Sequence, residues 1–223
     1  MKKILTSIAV VLALLVTVDA NAQFGIIGGF TSSKTSVDKD LSGYAKSTSL
    51  YHAGIAYRAD MGLIAIQPSL TYQMKGGALE GGLSAVTGTL QTQTGFLELG
   101  IGLQVVPLNL GVVKAYGFAE PFIGYGITNV EAMGTDIKGL ISGDKAIKDW
   151  ANTEKNKLEY GFGLGIGVMA LDFLQISAQW FTNLGGLYGD NDKIDGSAIS
   201  DAAKVAFKNG NYQGIKFSLG IFF

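Results

Sequence analysis

The stretch "LEYGFGLGIGVMALDFLQISAQWF" runs from Leu158 to Phe181. Its first half places a large apolar residue at every second position: Leu158, Tyr160, Phe162, Leu164, Ile166 and Val168. Between them stand Glu159, Gly161, Gly163, Gly165, Gly167 and Met169. A period of two is that of a β-strand, whose successive side chains point to opposite faces. One face of this strand is therefore a continuous apolar ridge, and the other is nearly bare. A soluble sheet that buries one face covers the other with polar side chains. This strand does not, so it needs both an apolar environment outside and a crowded one inside.

Composition bounds the setting. The chain has 223 residues, 48% of them hydrophobic, with 32 Gly and 3 Pro. That suffices for one domain with a core and excludes a disordered Gly/Pro tract. The net charge of −1 offers no basis for binding nucleic acid, and the absence of Cys excludes disulfides, thiolate metal sites and Cys nucleophiles. Lys2 and Lys3, the apolar run Ile4 to Val18 and the small-x-small triplet Ala20-Asn21-Ala22 compose an export signal. Residues 1–22 are accordingly expected to be a cleaved secretory signal peptide, and 23–223 a single domain. Loss of Lys2, Lys3 and Asp19 leaves 15 basic and 17 acidic residues, a net charge of −2.

Period-two alternation recurs along the mature chain. It predicts eight strands, at about Phe24–Ser32, Leu50–Arg58, Gly62–Met74, Thr94–Val106, Val112–Thr128, Leu158–Met169, Phe173–Thr182 and Asn211–Phe223. Tight turns at Ala59–Gly62, Pro107–Gly111 and Ala170–Asp172 alternate with longer connections at 33–49, 75–93, 129–157 and 183–210. These four long segments hold 24 of the 32 mature charges, so the strands are almost free of charge. The predicted fold is all-β: a closed, eight-stranded, antiparallel, up-and-down transmembrane barrel with short periplasmic turns and long extracellular loops.

A lipocalin-like soluble barrel would turn its apolar face inward around a ligand. Aromatic placement favours the opposite sense. Phe30, Tyr51, Tyr72, Tyr125, Tyr160 and Trp180 fall near the long-loop end, and Phe24, Tyr57 and Phe223 near the short-turn end, all on the apolar face. Two girdles bounding an aliphatic band are the pattern of a bilayer interface. With that face outward, Arg58, Glu98, Lys114, Glu120, Glu159 and Lys216 point into the lumen with His52, Gln67, Gln73, Gln104, Gln175 and Gln179. Three cations against three carboxylates suggest an internal ion-pair network, because an unpaired buried charge is expensive. The fifth strand leaves its sense open, since a bulge or slip there would flip Lys114 and Glu120 together with Tyr116, Phe118 and Phe122.

The stretch "IAIQPSLTYQMKGG" (64–77) resembles the strand-to-loop signature of PorT-like outer-membrane β-barrel proteins, as do "FLELGIGLQ" (96–104), "AQWFTNLGGL" and "IKFSLGIFF". Gly100 stands where that family usually has Pro. The resemblance implies an OmpA/OmpX-like barrel in the outer membrane of a Gram-negative bacterium, with some relatives assisting protein secretion or gliding. It also implies that Phe223 forms part of the signal read by barrel-assembly machinery.

No catalytic constellation emerges. The single His, His52, shares lumen parity with Ser69 and Glu98, so nothing converges on the lipid side for a triad. Asp190 to Gly196 resembles a calcium loop but has Ile194 at the fifth position and lacks the closing Glu. The expectation is a non-enzyme without cofactor or metal. Helical spacing over Ser142–Asn152 and Ser200–Gly210 predicts two loop helices, which either cap the barrel or leave Trp150 as an anchor for a protein or glycan partner. Two function classes remain: a filled barrel serving envelope structure, surface contact or secretion, with membrane lipid as its constant partner, and a narrow pore for small solutes or ions.

Overall fold

The computed structural model describes residues 21–35, 45–80, 89–127, 131–135, 158–185 and 211–223. Ten strands run in order: β1 (Asn21–Thr35), β2 (Ala45–Lys46), β3 (Thr48–Asp60), β4 (Ile64–Glu80), β5 (Thr89–Asn109), β6 (Val113–Gly126), β7 (Glu131–Thr135), β8 (Leu158–Ala170), β9 (Leu174–Asn183) and β10 (Tyr212–Phe222). Eight of them are staves of a closed barrel. Going round, β1 pairs β3, then β4, β5, β6, β8, β9 and β10 follow, and β10 returns to β1, every pair antiparallel. Short strands β2 and β7 extend the sheet along the upper parts of β4 and β5.

Most of the expected signal segment, the two expected loop helices and the acidic stretch 190–196 lie outside the described residues. Asn21 and Ala22 are described, and they pair with Asp60 and Ala59 at the foot of β1.

Two expectations about the connections are corrected. The segment 75–93 is expected as a long connection, yet β4 continues through Gly76-Gly77, locally a turn signal, to Glu80 and pairs as far as Thr89 of β5. Likewise β1 reaches Thr35, and β3 begins at Thr48. The ladder overrides the glycine signal because every residue added to a paired hairpin satisfies further backbone groups. The tight turns occupy Met61–Leu63, Leu110–Val112 and Leu171–Phe173. Gly62 and Gly111 take φ of 88° and 82°, values that favour glycine. The first two turns are tied by the preceding carboxylate or amide: Gly62 N–H donates to Asp60 Oδ1 at 2.9 Å, and Gly111 N–H to Asn109 Oδ1 at 3.0 Å.

The open question about the fifth predicted strand, β6, is settled by its partner. The register of β5 against β6 slips between Val105 and Leu108, across Pro107. The bulge thus lies on β5, where a residue without an N–H interrupts the ladder least. Strand β6 itself keeps one parity, with Tyr116 and Phe122 buried and Ile123 and Tyr125 exposed.

The two faces of β8 now have occupants. Leu164 and Ile166 are exposed on the outer surface, Ile166 at 70%. The glycines face inward, and the space above them is filled by neighbours: Phe122 over Gly161, Gln179 over Gly163, Phe118 over Gly165 and Tyr116 over Gly167. At Gly165 a Cβ would also stand 2.6 Å from the Ala178 carbonyl oxygen, which is backbone and cannot move aside. At the short-turn end Phe222, Met169 and Ala56 pack together with Ile27 against them.

The paired positions Gly165 and Ile166 test this arrangement. Gly165→Leu overpacks the interior and is expected to destabilise by ~1–3 kcal/mol. Ile166→Arg puts a cation in hydrocarbon and is expected to lose ~2–4 kcal/mol. Ile166→Leu is expected to be silent. Urea titration of vesicle-inserted protein measures all three, and a silent Gly165→Leu would contradict the filled groove.

Candidate functional site

The strands leave a lumen lined by one residue in two from each stave. Its contents lie in four tiers. The upper tier centres on Lys75 of β4, whose Nζ lies 2.7 Å from Glu98 Oε2 and 2.9 Å from Glu159 Oε1, with all three side chains at most 2% exposed. Asn183 Nδ2 donates to the other oxygen of Glu159 at 2.6 Å. The ammonium also faces three rings, with centroids of Phe122, Phe181 and Phe96 at 4.3, 5.1 and 5.6 Å. Two carboxylates and three π-faces together replace the water that Lys75 lost, so the cation is neutralised where it stands.

The middle tier hangs on Lys216 of β10. Its Nζ reaches Glu98 Oε1 at 3.3 Å and Glu120 Oε1 at 3.2 Å. Glu98 thus bridges the two tiers, one oxygen to each lysine. Gln179 Nε2 donates to Glu120 Oε1 at 3.1 Å. His52 is buried here, its ring nitrogens 3.0 Å from Thr31 Oγ1 and 2.9 Å from Ser218 Oγ. Two neutral hydroxyl partners suit a packed polar residue and contain no acid to orient a catalytic base.

Below lies a cluster of three glutamines. Gln67 Oε1 accepts from Gln104 at 2.8 Å and from Gln175 at 2.9 Å. The floor is ionic again: Arg58 Nη1 pairs with Asp60 Oδ2 at 2.9 Å, while Lys114 Nζ joins Asp60 at 3.1 Å and Asp172 at 2.7 Å. Between the middle tier and the glutamines a cavity of about 40 Å³ is bounded by Gln67, Ser69, Glu120, Gln175 and Lys216. That is room for about three waters.

All six charges read from the sequence therefore lie in the lumen wall, in separate tiers: Glu98, Glu120, Glu159 and Lys216 above, Arg58 and Lys114 at the floor. The structure adds Lys75, Asp60 and Asn183 to the network. Lys75 had been placed in a loop, although the run Gln67, Ser69, Thr71, Gln73, Lys75 keeps one parity and carries the signal that it points inward. Asp60 had been assigned only to a turn. Among the described residues no group of three His, Cys, Asp or Glu side chains could hold a metal ion.

The outer face is of the opposite character. Phe30, Tyr51, Tyr125, Tyr160 and Trp180 stand exposed toward the long-connection end, with Phe24 and Phe223 exposed near the turns. Tyr72 and Tyr57 are half-buried, Tyr72 against Tyr51 at 6.1 Å between centroids. Trp150 lies outside the described residues. Leucines, isoleucines and valines fill the surface between these rings. An exposed apolar surface that encircles the molecule is not a soluble protein's surface. With charges inside and hydrocarbon outside, this is an integral outer-membrane barrel.

No family model matches the chain, and no curated protein matches it. Solved structures similar in outline include Neisserial surface protein A, at 10% identity over 91% of this chain and 99% of that one, with a TM-score of 0.41. The attachment invasion locus protein Ail of Yersinia pestis matches at 11% identity over 90% of this chain and 97% of its own, TM-score 0.39. OprG of Pseudomonas aeruginosa matches at 13% identity over 92% and 97%, TM-score 0.40. The barrel assignment rests on the closed ladder and the two faces of this chain itself.

The upper tier predicts a charge-compensation experiment. Lys75→Met leaves Glu159 buried without its cation, beside Asn183 and the carboxylate of Glu98, and is expected to destabilise by ~3–5 kcal/mol. Adding Glu159→Gln removes the stranded charge and is expected to recover most of that loss. Lys114→Ala, at the wetter floor, is expected to lose about 1 kcal/mol or less. Denaturant midpoints in vesicles decide the order, and equal losses at positions 75 and 114 would contradict it.

Proposed function

We propose that this protein is a non-enzymatic outer-membrane barrel whose filled lumen is structural and whose work is done by what its long connections present outside the cell. The observation that carries this reading is the stacked ion-pair lumen: Lys75 and Lys216 each hold carboxylate partners on other strands, and Arg58 pairs with Asp60 of its own strand at the floor. A route for solutes would have to break several buried pairs at once. The extended β4–β5 hairpin, flanked by β2 and β7, supports the same reading, since it carries the sheet beyond the apolar band.

Within that role we favour envelope structure or contact with a surface partner, including a secretion accessory of the PorT-like kind that the segment 64–77 resembles. Partner capture through the long connections is the corresponding activity, and cross-linking on intact cells followed by identification of the linked proteins tests it. A narrow pore is the second reading, favoured by the polar cavity between Lys216 and Gln67. Planar-bilayer recording separates the two. Purified protein is expected to give no stable unit current, whereas steady, reproducible currents would select the pore.

A further inference from the structure

The apolar surface does not stop at the lower aromatic residues. All three tight turns carry exposed apolar side chains: Met61 and Leu63, Leu110 and Val112, and Leu171 and Phe173, each between 43% and 65% exposed. Leu108 adjoins them, and Phe223 at the end of the chain is 71% exposed. A turn in water is ordinarily polar.

Three observations say what covers this rim. The first is height. Tyr51 and Tyr57 are six residues apart on β3, as are Phe30 and Phe24 on β1. At ~3.3 Å per residue and a tilt near ~40°, that is about 15 Å along the barrel axis, well short of the ~25 Å apolar band of a bilayer barrel. Counting from Tyr51 to Met61, or from Tyr160 to Leu171, the same geometry gives about 25 Å or slightly more.

The second is charge. The ionic groups of the rim turn inward: Asp60 toward Arg58 and Lys114, and Asp172 Oδ1 toward Lys114 at 2.7 Å. Apart from Asp172, whose side chain is half-exposed, the side chains that the three turns leave outside are apolar and continuous with the lipid-facing surface.

The third is strain. Leu171 and Asp172 have φ of 53° and 59°. Such a turn favours Asn or Gly at both positions, since a branched side chain there meets its own backbone. A leucine held in this conformation and 62% exposed gains nothing from water. Lipid contact supplies the gain.

We propose that the short-turn rim is seated in the lipid of the inner leaflet, so that Leu63, Leu110, Val112, Leu171 and Phe173 are membrane anchors and the lower aromatic residues lie within the membrane. This rests on the barrel being set in a bilayer, and the test reports that separately. The chain has no Cys, so Ile166→Cys, Leu110→Cys and Leu171→Cys can each carry a single nitroxide label. In phosphatidylcholine vesicles, collisions with molecular oxygen report lipid, and those with a water-soluble nickel chelate report solvent.

Oxygen is expected to dominate at all three positions, most strongly at 166. Chelate dominance at 110 and 171 with oxygen dominance at 166 would overturn the rim inference and leave the barrel in the membrane. Chelate dominance at 166 as well would overturn both. Spin–spin broadening between labels at 110 or 171 would assign the rim to a second copy and overturn the lipid assignment. Leu171→Asn supplies an independent measurement. It relieves the backbone strain but removes the anchor, so the urea midpoint in vesicles is expected to fall. A rise would overturn the inference.

Discussion

Hydrocarbon provides no partner for a backbone amide. Each N–H and C=O that crosses the membrane must be bonded within the protein, which for strands means a sheet with no edge. The β1–β10 ladder from Gly25↔Phe222 to Thr35↔Tyr212 supplies that closure. Once eight staves close on themselves, the diameter is fixed, and with it the volume inside. The bulge on β5 and the glycines of β8 are adjustments to that one requirement. A bulge accommodates Pro107 without opening the wall, and glycine lets a neighbouring ring occupy the space that a side chain would have taken.

A narrow lumen crowded with side chains also sets the terms for its charges. A lone ammonium in that setting carries a desolvation penalty of several kcal/mol, so cations and carboxylates must arrive together. Glu98 shows how far this goes, with one oxygen on Lys75 and the other on Lys216. It therefore couples β4 to β10 across the lumen, through side chains alone. Phe96, Phe122 and Phe181 then seal the upper tier around Lys75. The glutamines below extend the polar bonding without adding charge.

Much of this was legible in the sequence because a strand's period of two is rigid. Once one face of β8 is apolar, the sense of Glu159 follows, and the same logic places Arg58, Glu98 and Lys216. Legibility failed where local and long-range signals conflict. Gly76-Gly77 is locally a turn signal, but the β4–β5 ladder runs through it, so Lys75 stands in the barrel wall and not in a connection. Asp60 failed similarly, since a turn aspartate reads as a solvated cap until the floor of the barrel brings Arg58 and Lys114 to it. The sense of β6 was open in the sequence because its own pattern mixes rings and charges on one parity, and the regular ladder of Phe96–Val105 against Gly117–Gly126 fixes it.

The seam between β1 and β10 joins residues near the two ends of the chain: Phe24 and Phe223 exchange backbone hydrogen bonds at 3.2 and 2.8 Å. Hairpins such as β8–β9 can form as soon as their own residues are available, but the seam waits until both β1 and β10, far apart in sequence, are in place. Closing so long a loop is entropically late, and topologies dominated by distant contacts fold slowly. Until then β1 and β10 present unpaired edges, which in water are templates for aggregation. The order of assembly is thereby written into the connectivity: the wall accumulates from neighbours, and the first and last strands close it at the end.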